Sequence, residues 1–236
     1  MNKIIDFAKL TNDFYNKTAP EFDKTRKYEW DGWIKLMEFL KEKSNLEGSV
    51  LDVACGNGRF ANTIKNNFLE YFYLGIDNNK YLLEQAKKTY FEKGKIEFIE
   101  FDIYQDWSRL KKVYKKTFDL VVAFGITHHL VNVNAREKFI DNLCYMVNNE
   151  GVIVVSFWDF LGSKSLSKKV IESLGDGDYI LDWKRGEIAY RYAHHYTKGE
   201  ILKLFNKSNL KIIKNYSADG PNGMSNDCYI LKKVLH

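Results

Sequence analysis

The chain is short of several residue types. Of its 236 residues only two are proline (Pro20 and Pro221), three are cysteine, and arginine is outnumbered by lysine six to thirty. No Gly/Ser-rich tract and no fixed-period repeat breaks it up, so one domain is expected over residues 1–236. The longest apolar stretches, residues 118–126 and 151–158, fall well below the ~18 residues a membrane helix needs. The opening residues lack an apolar core followed by a small-residue cleavage site, so the expectation is a cytoplasmic protein with no membrane anchorage. Cys55, Cys144 and Cys228 are odd in number and far apart. That excludes a disulfide framework and gives no metal spacing, so no metal ligands are assigned.

What is present is an ordinary globular composition, 45% hydrophobic, 15% aromatic and 28% charged, with a net charge of +5. The excess of positive charge suits an anionic partner without requiring one. Short β-branched or aromatic runs (50–54, 71–76, 96–101, 118–124 and 152–157) alternate with segments of helical period (80–90 and 135–147). The runs are apolar without strict alternation, as strands buried on both faces are. A helix over 198–206 and two late strands, 211–217 and 228–234, complete the pattern. The fold class expected is α/β: a doubly wound, mostly parallel seven-stranded sheet with helices on both faces. Residues 1–45 read as a helical cap, and 158–196 as an irregular insertion after the fifth strand.

The sharpest signal is the run Ser49–Phe60, SVLDVACGNGRF. An apolar strand gives way to a turn holding Asp52, Ala54, Gly56 and Gly58, followed by a helix over 59–67. Small residues there let a ligand approach the backbone at the carboxyl end of the strand. No Gly-Lys-Ser/Thr follows, so this is not a phosphate loop. Ala54 stands where a dinucleotide fingerprint has its first glycine, and Asp52 would repel a pyrophosphate. The second strand ends at Asp77, twenty-five residues after Asp52, where a carboxylate accepts from a ribose diol. The third ends at Asp102, followed by Ile103, which suit an exocyclic amine and a flat ring. Acidic groups at three successive strand ends fit a cationic nucleoside without phosphate, as S-adenosylmethionine is.

On these residues the chain resembles the class I S-adenosylmethionine-dependent methyltransferases, over about 48–160 and 197–234, with the Rossmann-like fold that implies. The resemblance puts Asp52, Ala54, Gly56 and Gly58 along the methionine moiety, Asp77 on the ribose, and Asp102 with Ile103 on the adenine. Asn78 and Phe124 join the cofactor set. A narrower resemblance lies outside the shared fold. Tyr15, Ala19, Phe22, Thr25, Arg26 and Trp30, the pair His128 and His129, the segment SFWDF, and Trp183, Lys184, Arg191, Tyr192 and His194 are similar to motifs of the tRNA wobble-uridine carboxymethyl methyltransferases. Ala193, His195 and the long loop over 217–226 depart from that pattern.

The resemblance implies methyl esterification of a carboxymethyl group on tRNA, with a small zinc-ribbon protein as a partner. The alternative is a methyltransferase of the same fold acting on a small-molecule carboxylate or amine. Arg26, His128, His129, Arg191 and His194 are the candidates for orienting the acceptor. A carboxylate acceptor needs no base, whereas an amine or hydroxyl would give its proton to His128 or His129. Tyr15 is assigned to the core face of an amphipathic helix, with a place over the cofactor as the alternative. Residues 109–116, RLKKVYKK, read as a solvated helix face, or as a phosphate track if they share the side of the strand ends.

Overall fold

The structure is a computed structural model that describes residues 6–42, 46–105, 107–114, 117–183 and 187–234. Lys184, Lys115 and Lys116 lie outside the described residues. Seven strands form the central sheet: β1 (Glu47–Val53), β2 (Glu70–Asp77), β3 (Ile96–Glu100), β4 (Phe118–Ala123), β5 (Val147–Trp158), β9 (Leu210–Ala218) and β10 (Asn226–Lys233). Their order is β3-β2-β1-β4-β5-β10-β9. Strands β1 to β5 are mutually parallel and β10 runs antiparallel to both β5 and β9. The expected seven-stranded, mostly parallel sheet is therefore what the chain forms.

Alternate residues of each strand feed two cores, one on each face of the sheet. Leu51, Val53, Leu74, Ile76, Val121 and Val155 face α6 (Val133–Met146) and α8 (Lys198–Lys207). Val50, Tyr73, Leu120, Val122 and Val154 face α2 (Asp31–Lys41), α3 (Phe60–Asn67) and α4 (Lys80–Tyr90). Burial on both sides is why the runs lack an alternating pattern. The order reverses between β1 and β4, and a parallel sheet binds ligands in the crevice outside such a reversal.

Two features differ from the sequence expectation or extend it. Helix α1 (Phe7–Thr25) lies across the carboxyl ends of the strands, capped by Asp6, whose side chain accepts from Lys9 N. The insertion is regular rather than irregular. After a single turn of helix, α7 (Lys164–Ser167), it forms a separate antiparallel sheet of β6 (Val170–Gly175), β7 (Asp178–Trp183) and β8 (Ala189–His194). Asp176 and Gly177, with φ of 49° and 82°, make the two-residue turn between β6 and β7, a backbone shape that favours Asp-Gly. Strand β8 packs against α1, so the insertion roofs one side of the crevice. Among the described residues no helix is long and apolar enough to cross a membrane.

Candidate active site

The crevice at the strand ends encloses about 1110 Å³ with its open mouth, the size class of small-molecule sites. Its floor is the turn after β1. Gly56 (φ 56°) and Ala54 (φ 61°) both take left-handed backbone, so Ala54 carries strain that a glycine would not. Both line the crevice, as do Asp52, Asp77, Asn78, Ile103 and Phe124. Gly58 does not. A Cβ there would come within 2.8 Å of Ala86 Cβ and of the Phe98 ring, so this glycine serves the close packing of α4 and β3 against the turn.

The two strand-end carboxylates are held differently. Asp77 accepts from the backbone N–H groups of Gly56 and Asn79, each at 2.8 Å, which pins the glycine turn to the end of β2. Burial nonetheless raises its pKa, against those amide bonds. Asp52 accepts from the Tyr73 hydroxyl. Its pKa is pushed up to about 7, chiefly by burial, with the Tyr73 bond opposing and Asp77 adding. Asp102 lies in a polar cleft that continues from the crevice, beside Asn12, Gln105 and Arg109, and its carboxylate accepts from Tyr104 N at 2.9 Å.

Helix α1 crosses this opening on polar latches. Asn78 Nδ2 donates to Asn12 Oδ1 at 3.0 Å, Asn79 Nδ2 to Asn16 Oδ1 at 3.1 Å, and Asn57 Nδ2 to Asp23 Oδ1 at 2.8 Å. Tyr15 serves both expected roles: it packs against the small cluster of Phe14, Trp183 and Ala189 and also reaches the crevice wall. Its hydroxyl bonds His129 Nε2 at 2.9 Å.

The histidine pair follows β4 in a short turn that Ser156 fixes: its Oγ accepts from Gly125 N at 2.9 Å and its carbonyl from Thr127 Oγ1 at 2.7 Å. Burial, with Arg191 nearby, drops the His129 pKa to about 3. The ring is neutral at physiological pH, with Nδ1–H donating to Tyr192 O at 2.9 Å. Nε2 is then a lone pair, and Tyr15 donates to it. His129 lines the crevice and His128 does not. His128 packs on Trp158 at 4.9 Å, its Nδ1 buried with no partner among the described residues, and burial holds its pKa well down.

Arg191 sits behind Tyr15. Its guanidinium lies between the rings of Phe14 and Trp158, 5.0 and 4.9 Å from their centroids. Nη1 donates to the Tyr15 hydroxyl at 3.4 Å, and Nε has no acceptor among the described residues. Arg26 caps the end of α1, its guanidinium 4.2 Å from the Phe22 centroid and its Nη1 on Thr25 Oγ1. His194 is placed away from the crevice. Its Nδ1 meets Asp178 at 2.5 Å and its Nε2 meets Glu200 at 3.2 Å, in a network with Arg136 and Tyr192 that fastens β7 and β8 to α6 and α8.

Sequence patterns passed over one cation. Arg59, the N-cap of α3, lines the crevice with Trp30 and Trp33. Its guanidinium stands 5.6 and 5.1 Å from those rings and donates to Tyr28 O. Burial first, then Arg26, lowers its pKa to about 10.

Residues 50–151 match the family model described as a methyltransferase domain. Among curated relatives, a protein of Encephalitozoon cuniculi with a provisional methyltransferase name is 26% identical over 208 residues, 87% of this chain and 89% of that protein. A tRNA (carboxymethyluridine(34)-5-O)-methyltransferase of Arabidopsis thaliana is 28% identical over 152 residues, 64% of this chain but 33% of that protein. A carboxy-S-adenosyl-L-methionine synthase of Campylobacter jejuni is 24% identical over 213 residues, 83% of this chain and 88% of that protein. The fold is shared with a Synechocystis magnesium protoporphyrin IX methyltransferase solved with bound S-adenosylmethionine, at TM-score 0.65 and 13% identity over 99% of this chain and all of that one.

Proposed function

We propose that this chain, a class I S-adenosylmethionine-dependent methyltransferase, esterifies a carboxylate, and that the carboxylate is a carboxymethyl group on the wobble uridine of tRNA. S-adenosylmethionine is the methyl donor, and the crevice is suited to it. Its strand-end edge is acidic, its floor is bare backbone, and the Thr11 hydroxyl is buried on its wall with no partner among the described residues. Asp77 would take the ribose hydroxyls, Asn78, Asp102 and Ile103 the adenine, and Asp52, Ala54 and Gly56 the amino-acid end. Phe124 would wall the methyl side. Bound there, the donor supplies a methyl made electrophilic by its sulfonium.

Arg191 is the observation that carries the carboxylate. Its side chain is 6% exposed, and among the described residues its only polar contact is the Tyr15 hydroxyl. A buried cation without a counter-charge is costly. An acceptor carboxylate arriving beside Tyr15 removes that cost. Arg191 would hold one of its oxygens, with the Tyr15 hydroxyl still donating to His129, and leave the other oxygen free to accept the methyl. A carboxylate is already ionised at neutral pH, so no base is needed. That agrees with a His129 that is neutral and committed at both nitrogens.

The Arabidopsis relative supports carboxymethyluridine as the bearer. The Campylobacter relatives, matched over most of their length, favour a second reading, a small-molecule carboxylate held by the same arginine. Transfer of labelled methyl to tRNA with and without carboxymethyluridine, in the presence and absence of a small zinc-ribbon activator, separates the two. Labelling of the carboxymethylated tRNA alone is expected. Equal labelling of small carboxylates, insensitive to salt, would move the acceptor off RNA, and no labelling in any arm would overturn both.

A further inference from the structure

The loop from α1 to α2, residues 26–30, runs along the mouth of the crevice, and methyl transfer leaves most of it unused. Its sequence is Arg26-Lys27-Tyr28-Glu29-Trp30. Trp30 turns inward to the crevice wall. Tyr28 turns outward and is 83% exposed, more than any other large apolar side chain among the described residues. At that exposure the ring packs on little of its own chain and offers a flat face to solvent.

The loop is nevertheless pinned. Arg59 donates to Tyr28 O, Asn57 Nδ2 donates to Arg26 O at 3.2 Å, and Glu29 Oε1 accepts from Thr63 Oγ1 at 2.5 Å. Little backbone freedom is therefore lost when something docks on it. Lysines precede the aromatic residue in the chain. Lys27 is exposed with no carboxylate partner among the described residues. Lys24 has only the solvent-exposed pair with Glu21 at 2.7 Å, which holds it weakly.

We propose that this loop is the docking surface for an unpaired nucleotide beside the acceptor, with Tyr28 stacking on its base and Lys27 and Lys24 taking the flanking phosphates. The proposal rests on the RNA acceptor of the preceding section and adds which part of the RNA is gripped. A base reaches a crevice only from a single-stranded loop or after leaving its stack, so its neighbours are also unstacked and need a new partner. An exposed aromatic ring next to lysines in the chain is the kind of surface that supplies one. An acidic peptide would use the lysines but would not need the ring.

The test is binding of the full chain, saturated with S-adenosylhomocysteine, to a fluorescent anticodon stem-loop RNA, a fully paired RNA of the same composition and an acidic peptide. The stem-loop should bind best. Tyr28→Ala should weaken it by about tenfold or more, within the range for losing one stacked base, and Tyr28→Trp should restore it. Lys27→Ala should flatten the salt dependence by roughly 0.7 of a logarithmic unit per logarithmic unit of salt. Calorimetric affinity for S-adenosylhomocysteine, the check that each variant is folded, should not move.

Wild-type stem-loop affinity in Tyr28→Ala, or equal binding of the duplex or the peptide by the wild type, overturns the proposal. Its failure is distinct from failure of the esterification reading. Tyr28-dependent RNA binding without methyl transfer to carboxymethyluridine sinks that reading alone. Methyl transfer with an unchanged KM for tRNA in Tyr28→Ala sinks the docking loop alone.

Discussion

Replacing Arg191 with methionine should sharply lower acceptor turnover without unfolding the protein, and the structure says why. The buried guanidinium bears a desolvation cost of several kcal/mol. What it recovers is two aromatic faces, at 5.0 and 4.9 Å, worth about 0.5–2 kcal/mol each, and one long bond to Tyr15 at 3.4 Å, at the low end of the ~0.5–1.5 kcal/mol range. Methionine keeps contact with both rings and removes the charge. The net change in stability should lie between zero and a gain of about 2 kcal/mol, the usual result of replacing an uncompensated buried charge by an apolar side chain. For a chain of this length that is a melting temperature unchanged or raised by roughly 4–8 °C. The same change should lower kcat/KM for the carboxylate acceptor by roughly 30- to 150-fold, the ~2–3 kcal/mol of a charge-assisted bond. The assay is a thermal melt of the free protein beside a labelled-methyl transfer assay. A melting temperature that falls by more than about 4 °C would refute the reasoning, because the guanidinium would then be a satisfied structural group with no missing anion.

Three other outcomes follow, two from the donor end and one from the packing behind the glycine turn. Asp77→Asn turns an amide N–H toward Gly56 N or Asn79 N, so the affinity for S-adenosylhomocysteine, measured by calorimetry, should fall by about 1–3 kcal/mol; an unchanged value contradicts the ribose assignment. Because burial lifts the Asp52 pKa to about 7, its carboxyl is protonated below that pH and charged above it. Donor affinity should therefore rise as pH climbs from 6 to 8, and Asp52→Asn should make the profile flat. Gly58→Ala forces a Cβ into Ala86 and Phe98 at a φ of 76° and should cost about 1–3 kcal/mol in a denaturant titration, with stability unmoved as the contrary result.

How much of this was legible depended on whether a feature was local. The first five strands and the glycine turn could be read because burial on both faces and a strained backbone leave their mark within a few residues. The hairpin of the insertion carried a local signal too, Asp176-Gly177, but its flanking residues Ile171 and Leu174 are exposed, so no apolar alternation announced β6. Long-range features were out of reach. Nothing in the spacing puts Tyr15 on His129, 114 residues away, or Arg191 between Phe14 and Trp158. Gly58 and His194 were plausible as ligand contacts by position, yet one packs a helix against a strand and the other joins two carboxylates away from the crevice. Arg59 went unread because its value lies in the tryptophans that frame it.

A methyl ester differs from a methylated nitrogen or carbon in one property that needs no knowledge of the acceptor: mild alkali cleaves it. Labelled product formed with the full chain on total tRNA should release its label as volatile methanol after brief base treatment and retain it at neutral pH. Label that stays on the RNA through alkali would contradict a carboxylate acceptor, and with it the role given to Arg191.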